Sequence, residues 1–465
     1  MPPEITPQPS FFQPIPIDWE GFYAAIAPIE CLTDPTQVTK LSQDYYHFSP
    51  ILQPIFQHRR GDCVVRPTSE AEVLQVAKAC VQFKIPLTVR GAGTGNYGQA
   101  VPLQGGVILE MSRLTAIQWQ RPGLVRVQAG AKLAAIDRQT RDMGWELRMA
   151  PSTYRTATIG GFIGGGSGGI GSITYGQLRD RGNILAVRVV TMEDEPRAIE
   201  LRGDAVYQVA HAYGTNGILT EVELPLAPAY SWVEVIATFP DFLAAAHFGQ
   251  ALGDADGLMK KLITICADPI PSYLTALQDY LPTGSHCALL MVAIESLEAL
   301  QALVQDWGGQ ITYQSANSPN SEPDKGLSLW EYTWNHTTLL ARAIDPNLTY
   351  LQTLFPGDHD LQKVAHFYET LGQEVMMHLE FLRVGGRATP AALQLVRYQS
   401  PDRLQEIIDY HEANGAIIFN PHAYTIEEGG MKQVDRAQVD FKQQVDPYGL
   451  LNPGKMRGWL EREIS

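Results

Sequence analysis

"IGGFIGGGSGGIGSITYG", residues 159 to 176, has glycine at nine of its eighteen positions. A flexible linker of that content would be flanked by serine and other polar residues. Here the glycines are interleaved with Ile159, Phe162, Ile163, Ile170 and Ile173, side chains that favour burial. Glycine among buried apolar residues lets a backbone approach a ligand closely and offer it free N–H groups. A glycine-rich turn packed for its own sake is the other account. The run follows "APSTYRT" (150–156) and precedes the apolar stretch "ILAVRVVTM" (184–192), which places it inside a packed domain.

Upstream, "VVRPTSEAEVLQVAKACVQFKIPLTVRG" (64–91) reads as strand, helix, strand. Thr68 or Ser69 can cap the helix, Glu72 stands near its first turn, and Ala71, Leu74, Ala77, Lys78 and Val81 follow helical spacing. "GGVILEM" and "LVRVQAG" are further apolar strands, and "AKLAAIDRQTRDMGW" is a helix after them. After the prolines of "ELPLAPAY" (223–230) a strand–helix–strand plan recurs three times. It occurs in "VEVIATFPDFLAAAHFGQALG", in "HCALLMVAIESLEALQALVQDWGGQITYQ", and from "VMMHLEFLRV" through "PDRLQEIIDYHEANGAIIFN". Helices returning to one sheet predict an α+β second domain. "QSANSPNSEPDKG" (314–326) is a polar loop within it.

At 465 residues the chain exceeds the size at which one hydrophobic core stops growing, roughly 250–300 residues. The expected organisation is an N-terminal arm over 1–60, a first domain over 61–228, a second over 229–410, and a C-terminal segment, 411–465, returning to the first. The net charge of -15 argues against nucleic acid as a partner. Cys31, Cys63, Cys80, Cys266 and Cys287 are too widely spaced for a disulfide framework or a CxxC metal site, which fits a reducing compartment. "MPPEITPQPSFFQPIPIDW" has neither a basic n-region nor an apolar run, and no segment reads as a membrane span. The expectation is a cytoplasmic protein.

Two other glycine signals compete. In "IPLTVRGAGTGNYGQAV" (85–101) a strand runs into Gly91, Gly93 and Gly95, and Glu110 ends a later strand, as a dinucleotide loop requires. A Rossmann loop also needs a helix to begin at the glycines. "NYGQAVPLQGG" cannot supply one, which leaves a loop whose N–H groups wrap an anion without a helix. In "DPYGLLNPGKM" (446–456), Gly449 to Lys455 spells a near P-loop. Met456 stands where a magnesium-binding hydroxyl is needed and only nine residues follow, so ATP or GTP chemistry is excluded.

Taken in order, "VVRPTSEAEV", "VRGAGTGNYG", "APSTYRTATIGGFIGGGSGGIGSITYGQLRDRGNILAVRVVT", "AYGTNGILTEVEL" and "DPYGLLNPGK" resemble the flavoprotein superfamily of vanillyl-alcohol oxidase and p-cresol methylhydroxylase. The resemblance is strong over 64 to about 228 and weak over the last forty residues. It implies an α+β fold: a PCMH-type FAD-binding domain of two α/β subdomains, plus a cap domain with an antiparallel sheet covered by helices. It implies that Arg90, Gly91, Ala92, Gly93, Thr94, Gly95 and Asn96 wrap the FAD pyrophosphate, with Tyr97 and Gly98 continuing the loop. Pro151, Ser152 and Thr153 would lie along the flavin. Thr158, Gly160, Gly161, Gly165, Ser167, Gly168 and Gly169 would follow the ribityl and phosphate part, supported by Ile170, Ser172 and Ile173. Gly217, Ile218 and Leu219 would approach the adenine side, and Asn452 and Lys455 would close the site. Covalent members often carry His where Thr94 stands, and some add Cys near Tyr154, so the resemblance implies FAD held non-covalently. The hydroxy-acid branch often shows "EHG" where this chain has "EEGG" (427–430), and no metal is expected.

Flavin chemistry needs a group to take the proton of the oxidised substrate. His422 and Tyr424, alternating with Asn420 along an expected strand, are candidates, as is His336. Each can equally be structural. Arg383 or Arg387 could hold a substrate carboxylate or end a strand in solvent, and "LWEYTWNHTTLLAR" gathers Trp330, Tyr332 and Trp334 as a pocket wall or as core. The expected function is oxidation of a small alcohol or 2-hydroxy acid, with oxygen or another, unidentified, electron acceptor. A nicotinamide-dependent dehydrogenase with an atypical glycine loop, and a flavin-fold binding protein without turnover, are the alternatives.

Overall fold

A computed structural model describes residues 17–315, 327–357, 360–431 and 433–461. Most of the polar loop expected at 314–326 and the first part of the arm lie outside the described residues. The helix Glu70–Gln82 starts where its sequence dictates. Ser69 accepts the N–H of Glu72, and Glu72 reaches back to the N–H of Thr68. Its apolar stripe, including Val73, Val76, Ala77 and Cys80, packs against the strands Cys63–Arg66, Leu87–Arg90 and Val107–Glu110, which run parallel. The arm adds Glu30–Leu32 antiparallel at the edge of that sheet. Residues of the arm are thus part of the first subdomain's fold.

The second subdomain is an antiparallel sheet in the order Ile117–Arg121, Leu124–Gln128, Ile218–Pro228, Ala186–Val190, Ala198–Arg202. The glycine run closes its core. Thr158 caps a short helix, Ile159–Gly165, accepting the N–H of Gly161 over 3.3 Å, and Ile159, Phe162 and Ile163 point into the core. The run is therefore half helix, a conformation its glycines disfavour in isolation and burial of three apolar side chains sustains.

The cap is a nine-stranded antiparallel sheet built on Trp232–Phe239, Lys260–Cys266, His286–Ala293, Leu348–Leu354, His378–Val384 and Arg387–Arg397. Val235 and Ile236 belong to opposite faces, as strand alternation requires. Helices Phe242–Asp254, Leu297–Asp306 and Asp360–Leu371 cover one face. The chain then returns: Leu87 donates its N–H to Leu450 O and accepts that of Asn452, both over 2.8 Å.

The strand expected to carry Asn420, His422 and Tyr424 is corrected. It ends at Ile418, because Pro421 has no N–H to pair and the Asn420 side chain turns the chain by accepting the N–H of His422 over 2.9 Å.

Candidate active site

Between the two subdomains and the cap lies a cavity of about 350 Å3. One wall is the loop after the strand Leu87–Arg90. Gly91, Ala92, Gly93, Thr94, Gly95, Asn96 and Tyr97 line it, and the backbone N–H groups of Ala92 to Asn96 have no partner among the described residues. No helix follows this loop through Gly106. Gly93 has φ +68°, a left-handed conformation that glycine adopts without strain, and Arg90 packs where a side chain would stand. A second wall carries Pro151, Ser152, Thr153, Thr158, Gly160, Gly161, Gly165, Ser167 and Gly168. A Cβ on Gly164 would meet nothing within 4 Å, and one on Gly165 only Gln99, at 3.5 Å. Both positions face open space, so a group lying there would touch backbone. Gly217 and Leu219 complete this side, and the cap contributes Trp334, Asn335, Leu382, Leu393 and Phe419. A second cavity of about 280 Å3 shares Thr94, Asn96, Ser152, Thr153 and Asn335 with the first and adds Trp330 and His336.

The other residues singled out from the sequence sit behind these walls. Arg90 donates from Nη1 to Gln43 O over 2.5 Å. Asn452, at φ +40°, donates from Nδ2 to Gln99 O (2.8 Å) and Tyr213 O (2.6 Å), fastening two wall segments together. Lys455 is buried, donates to Gly98 O over 2.7 Å and lies over the ring of Phe56. Burial lowers its pKa to about 7, which the nearby Asp44 carboxylate opposes. Gly169 donates to Ser172 Oγ, Ile170 exchanges backbone bonds with Ala150, and Ile173 and Ile218 belong to cores.

Of the four catalytic candidates, His336 reaches a cavity wall; burial holds its pKa below the usual value. His422 accepts from Ser49 and donates to Tyr350 O, over 2.8 and 2.9 Å, away from both cavities. Tyr424 packs edge-on against Phe56. Arg383 bonds Ile173 O, Gly386 O and Asp256. Asn420 and Tyr332 lie on neither wall.

Sequence reasoning did not single out His211, Tyr213 and Gln99 on the wall of the larger cavity. His211 and Tyr213 both have positive φ, at 55° and 51°, an uncommon state for such residues and one that clusters at functional sites. His211 Nδ1 bonds Gly166 O over 3.1 Å, Nε2 is buried without a partner, and burial drops the pKa to about 4. Their place directly before "GTNGIL" was the available signal. Among the described residues no group of three or more His, Cys, Asp or Glu side chains forms a metal cluster, and no helix is long and apolar enough to cross a membrane.

The glycine-walled cavity thus lies between two α/β subdomains under an antiparallel cap. Residues 61–197 match the FAD binding domain family. The chain is similar to the D-lactate dehydrogenase of Anaerostipes hadrus, 29% identical over 236 residues, which are 46% of this chain and 48% of the relative. It is 27% identical to the glycolate oxidase subunit GlcD of Escherichia coli K12 over 52% of this chain and 49% of the relative. The chain thus spans about half the length of these curated relatives. With GlcD of Bacillus subtilis strain 168 the match is 24% over 85% of this chain and 88% of the relative. An alkyldihydroxyacetonephosphate synthase structure shares the fold, with TM-score 0.69 and 14% identity over 91% of this chain and 82% of that one.

Proposed function

We propose that the cavity holds FAD non-covalently and that the protein oxidises a small alcohol or 2-hydroxy acid, the electrons passing on to oxygen or another acceptor. The observation that carries this is the paired backbone wall. Unpartnered N–H groups of Ala92 to Asn96 suit a pyrophosphate, and the open Cβ positions of Gly164 and Gly165 suit a group pressed against the chain. The fit extends to the buried, unpartnered Nε2 of His211, which a polar cofactor atom would satisfy.

When bound, FAD supplies a two-electron acceptor for the hydride of a C–H bond beside oxygen. Thr94, at the position where covalent relatives of the superfamily often carry His, cannot form that link. Asn452 and Lys455 hold the loop rather than touch the cofactor, and Gly217 allows the chain to pass close to it. For the hydroxyl proton we assign His336, which lines the adjoining smaller cavity and whose pKa burial lowers, as the acceptor through an imidazole nitrogen. The relatives named for D-lactate and glycolate favour a 2-hydroxy acid or a similar alcohol.

The purified protein should be yellow, with a band near ~450 nm, and acid precipitation should release the colour into the supernatant. A colourless protein refutes the reading; colour retained in the pellet refutes the non-covalent part. Anaerobic mixing with alcohols and hydroxy acids should bleach the band, whereas no bleaching by any of them would favour a binding protein without turnover.

A further inference from the structure

The fold brings Cys31 and Cys63 together at the edge of the first subdomain. Cys31 is the middle residue of Glu30–Leu32, the edge strand that the arm adds, and stands opposite Val65. Cys63, two residues before Val65 on the partner strand, projects to the same side because side chains alternate. Both thiols meet the face covered by the helix Glu70–Gln82, whereas Leu32 and Val64 belong to the opposite face. The two thiols are hydrogen-bonded, Cys63 being the donor, and the Tyr23 hydroxyl bonds Cys63 in turn.

The members of the pair differ. Cys63 is fully buried, whereas Cys31 is half-buried and within reach of small solutes. The hydrogen bond from Cys63 draws the Cys31 thiol below its usual value, which partial burial opposes; the same bond and burial raise Cys63. An accessible thiol that ionises readily beside a second, protonated one is the arrangement of a reversible oxidation site. Cys80, Cys266 and Cys287 are sealed in cores and share none of this access.

A disulfide needs Cα atoms within about 7 Å, and diagonal neighbours on an antiparallel ladder stand about 7–8 Å apart. A three-residue strand bonded on one side only can make that shift. The arm beyond it braces the glycine loop. Arg90 Nη1 donates to Gln43 O over 2.5 Å, Tyr45 donates its N–H to Gly95 O over 2.7 Å, and Asp44 accepts the N–H of Ala100 over 3.4 Å. A cross-link at Cys31 fastens the start of that brace.

We propose that Cys31 and Cys63 form a reversible disulfide on exposure to a hydroperoxide, Cys31 attacking first and Cys63 resolving. With hydrogen peroxide, the Cys31 thiolate sulfur bonds one oxygen as the O–O bond breaks, giving a sulfenic acid and hydroxide. The Cys63 sulfur then attacks the Cys31 sulfur, the S–S bond forms, and the sulfenic hydroxyl leaves with the Cys63 proton as water. The two sulfurs lose two electrons, which the peroxide takes up. Neither cysteine lies on a cavity wall, so the proposal is independent of what the cavities bind.

The full-length protein is treated with hydrogen peroxide, its remaining thiols are alkylated, and a tryptic digest is read by mass spectrometry without reductant. Cleavage after Lys40, Arg60 and Lys78 puts Cys31, Cys63 and Cys80 on separate peptides. The Cys31 and Cys63 peptides should appear joined, with two of the five thiols lost and both restored by dithiothreitol. In Cys63→Ser, Cys31 should be captured by dimedone as its sulfenic acid. In Cys31→Ser, a change at a half-buried site that keeps side-chain size, Cys63 should stay reduced; this variant decides alone should Cys63→Ser misfold. Amide exchange over residues 30–45 should be slower in the oxidised protein, because the cross-link restricts opening of the brace. A Cys63–Cys80 link, a disulfide between two molecules, oxidation of Cys63 in Cys31→Ser, no loss of thiols, or unchanged exchange overturns the proposal.

Discussion

Glu380 accepts the backbone N–H of Trp334 over 2.6 Å, so a strand of the cap sheet fixes the residue whose ring closes the cavity. The acceptor is buried, and the donor stands in a backbone conformation that side-chain-bearing residues rarely adopt. Strain of this kind persists only where the surroundings hold it.

Glu380→Ala should therefore be costly. It leaves the Trp334 N–H and the Thr264 hydroxyl without an acceptor, which by the usual cost of buried unsatisfied donors amounts to roughly 3 kcal/mol. Urea unfolding followed by circular dichroism measures it. A loss within error of zero would show that Trp334 holds its conformation without this carboxylate.

The glycine run divides into positions that serve the fold and positions that serve the cavity. A Cβ on Gly160 would fall 2.9 Å from Ala129 O, whereas one on Gly165 meets only the Gln99 side chain, at 3.5 Å. Gly160→Val should yield little folded protein. Gly165→Val should fold and purify without flavin, read as the ratio of absorbance near ~450 nm to that of protein. A Gly165→Val protein as yellow as the wild type would refute the assignment of this wall to the cofactor.

Asn452 ties Gln99 and Tyr213 together through its side-chain amide. Asn452→Ala leaves two carbonyls unpaired and places alanine at φ +40°, for a stability loss of about 1–3 kcal/mol. Because both carbonyls belong to wall segments, flavin should also be lost on dialysis faster than from the wild type. Retention equal to the wild type at a lowered unfolding midpoint would confine Asn452 to the fold.

Acid should destabilise the protein through its buried histidines. Burial drops His211 and His422 from 6.5 to about 4. Between those values the unfolded chain takes up protons that the folded one refuses, so stability falls as pH is lowered from 6.5 to about 4. The loss approaches about 3 kcal/mol for each histidine. His422→Gln isolates one contribution from other groups titrating nearby, such as Asp44, which burial raises to about 6. Its unfolding midpoint should fall less steeply with acid than that of the wild type; parallel slopes would contradict the assignment.

The sequence by itself determined the α+β order of elements, the capped helix at Ser69 and the glycine segments that meet on one cavity. These are local properties: hydrophobic period, capping side chains, and the conformational freedom of glycine beside apolar neighbours. The return of the last segment was legible only through the resemblance carried by "DPYGLLNPGK". Only the tertiary structure decided which polar side chains face the cavity. His422, Arg383 and Lys455 look in sequence as available as His336, yet each is turned to a backbone partner, respectively Tyr350 O, Ile173 O and Gly98 O. Trp334 and His211 gain their place from bonds to Glu380 and Gly166 O, 46 and 45 residues away along the chain. A side chain's chemistry is written in its residue type, but its direction is set by whichever buried partner satisfies it, and that partner is brought near by folding alone.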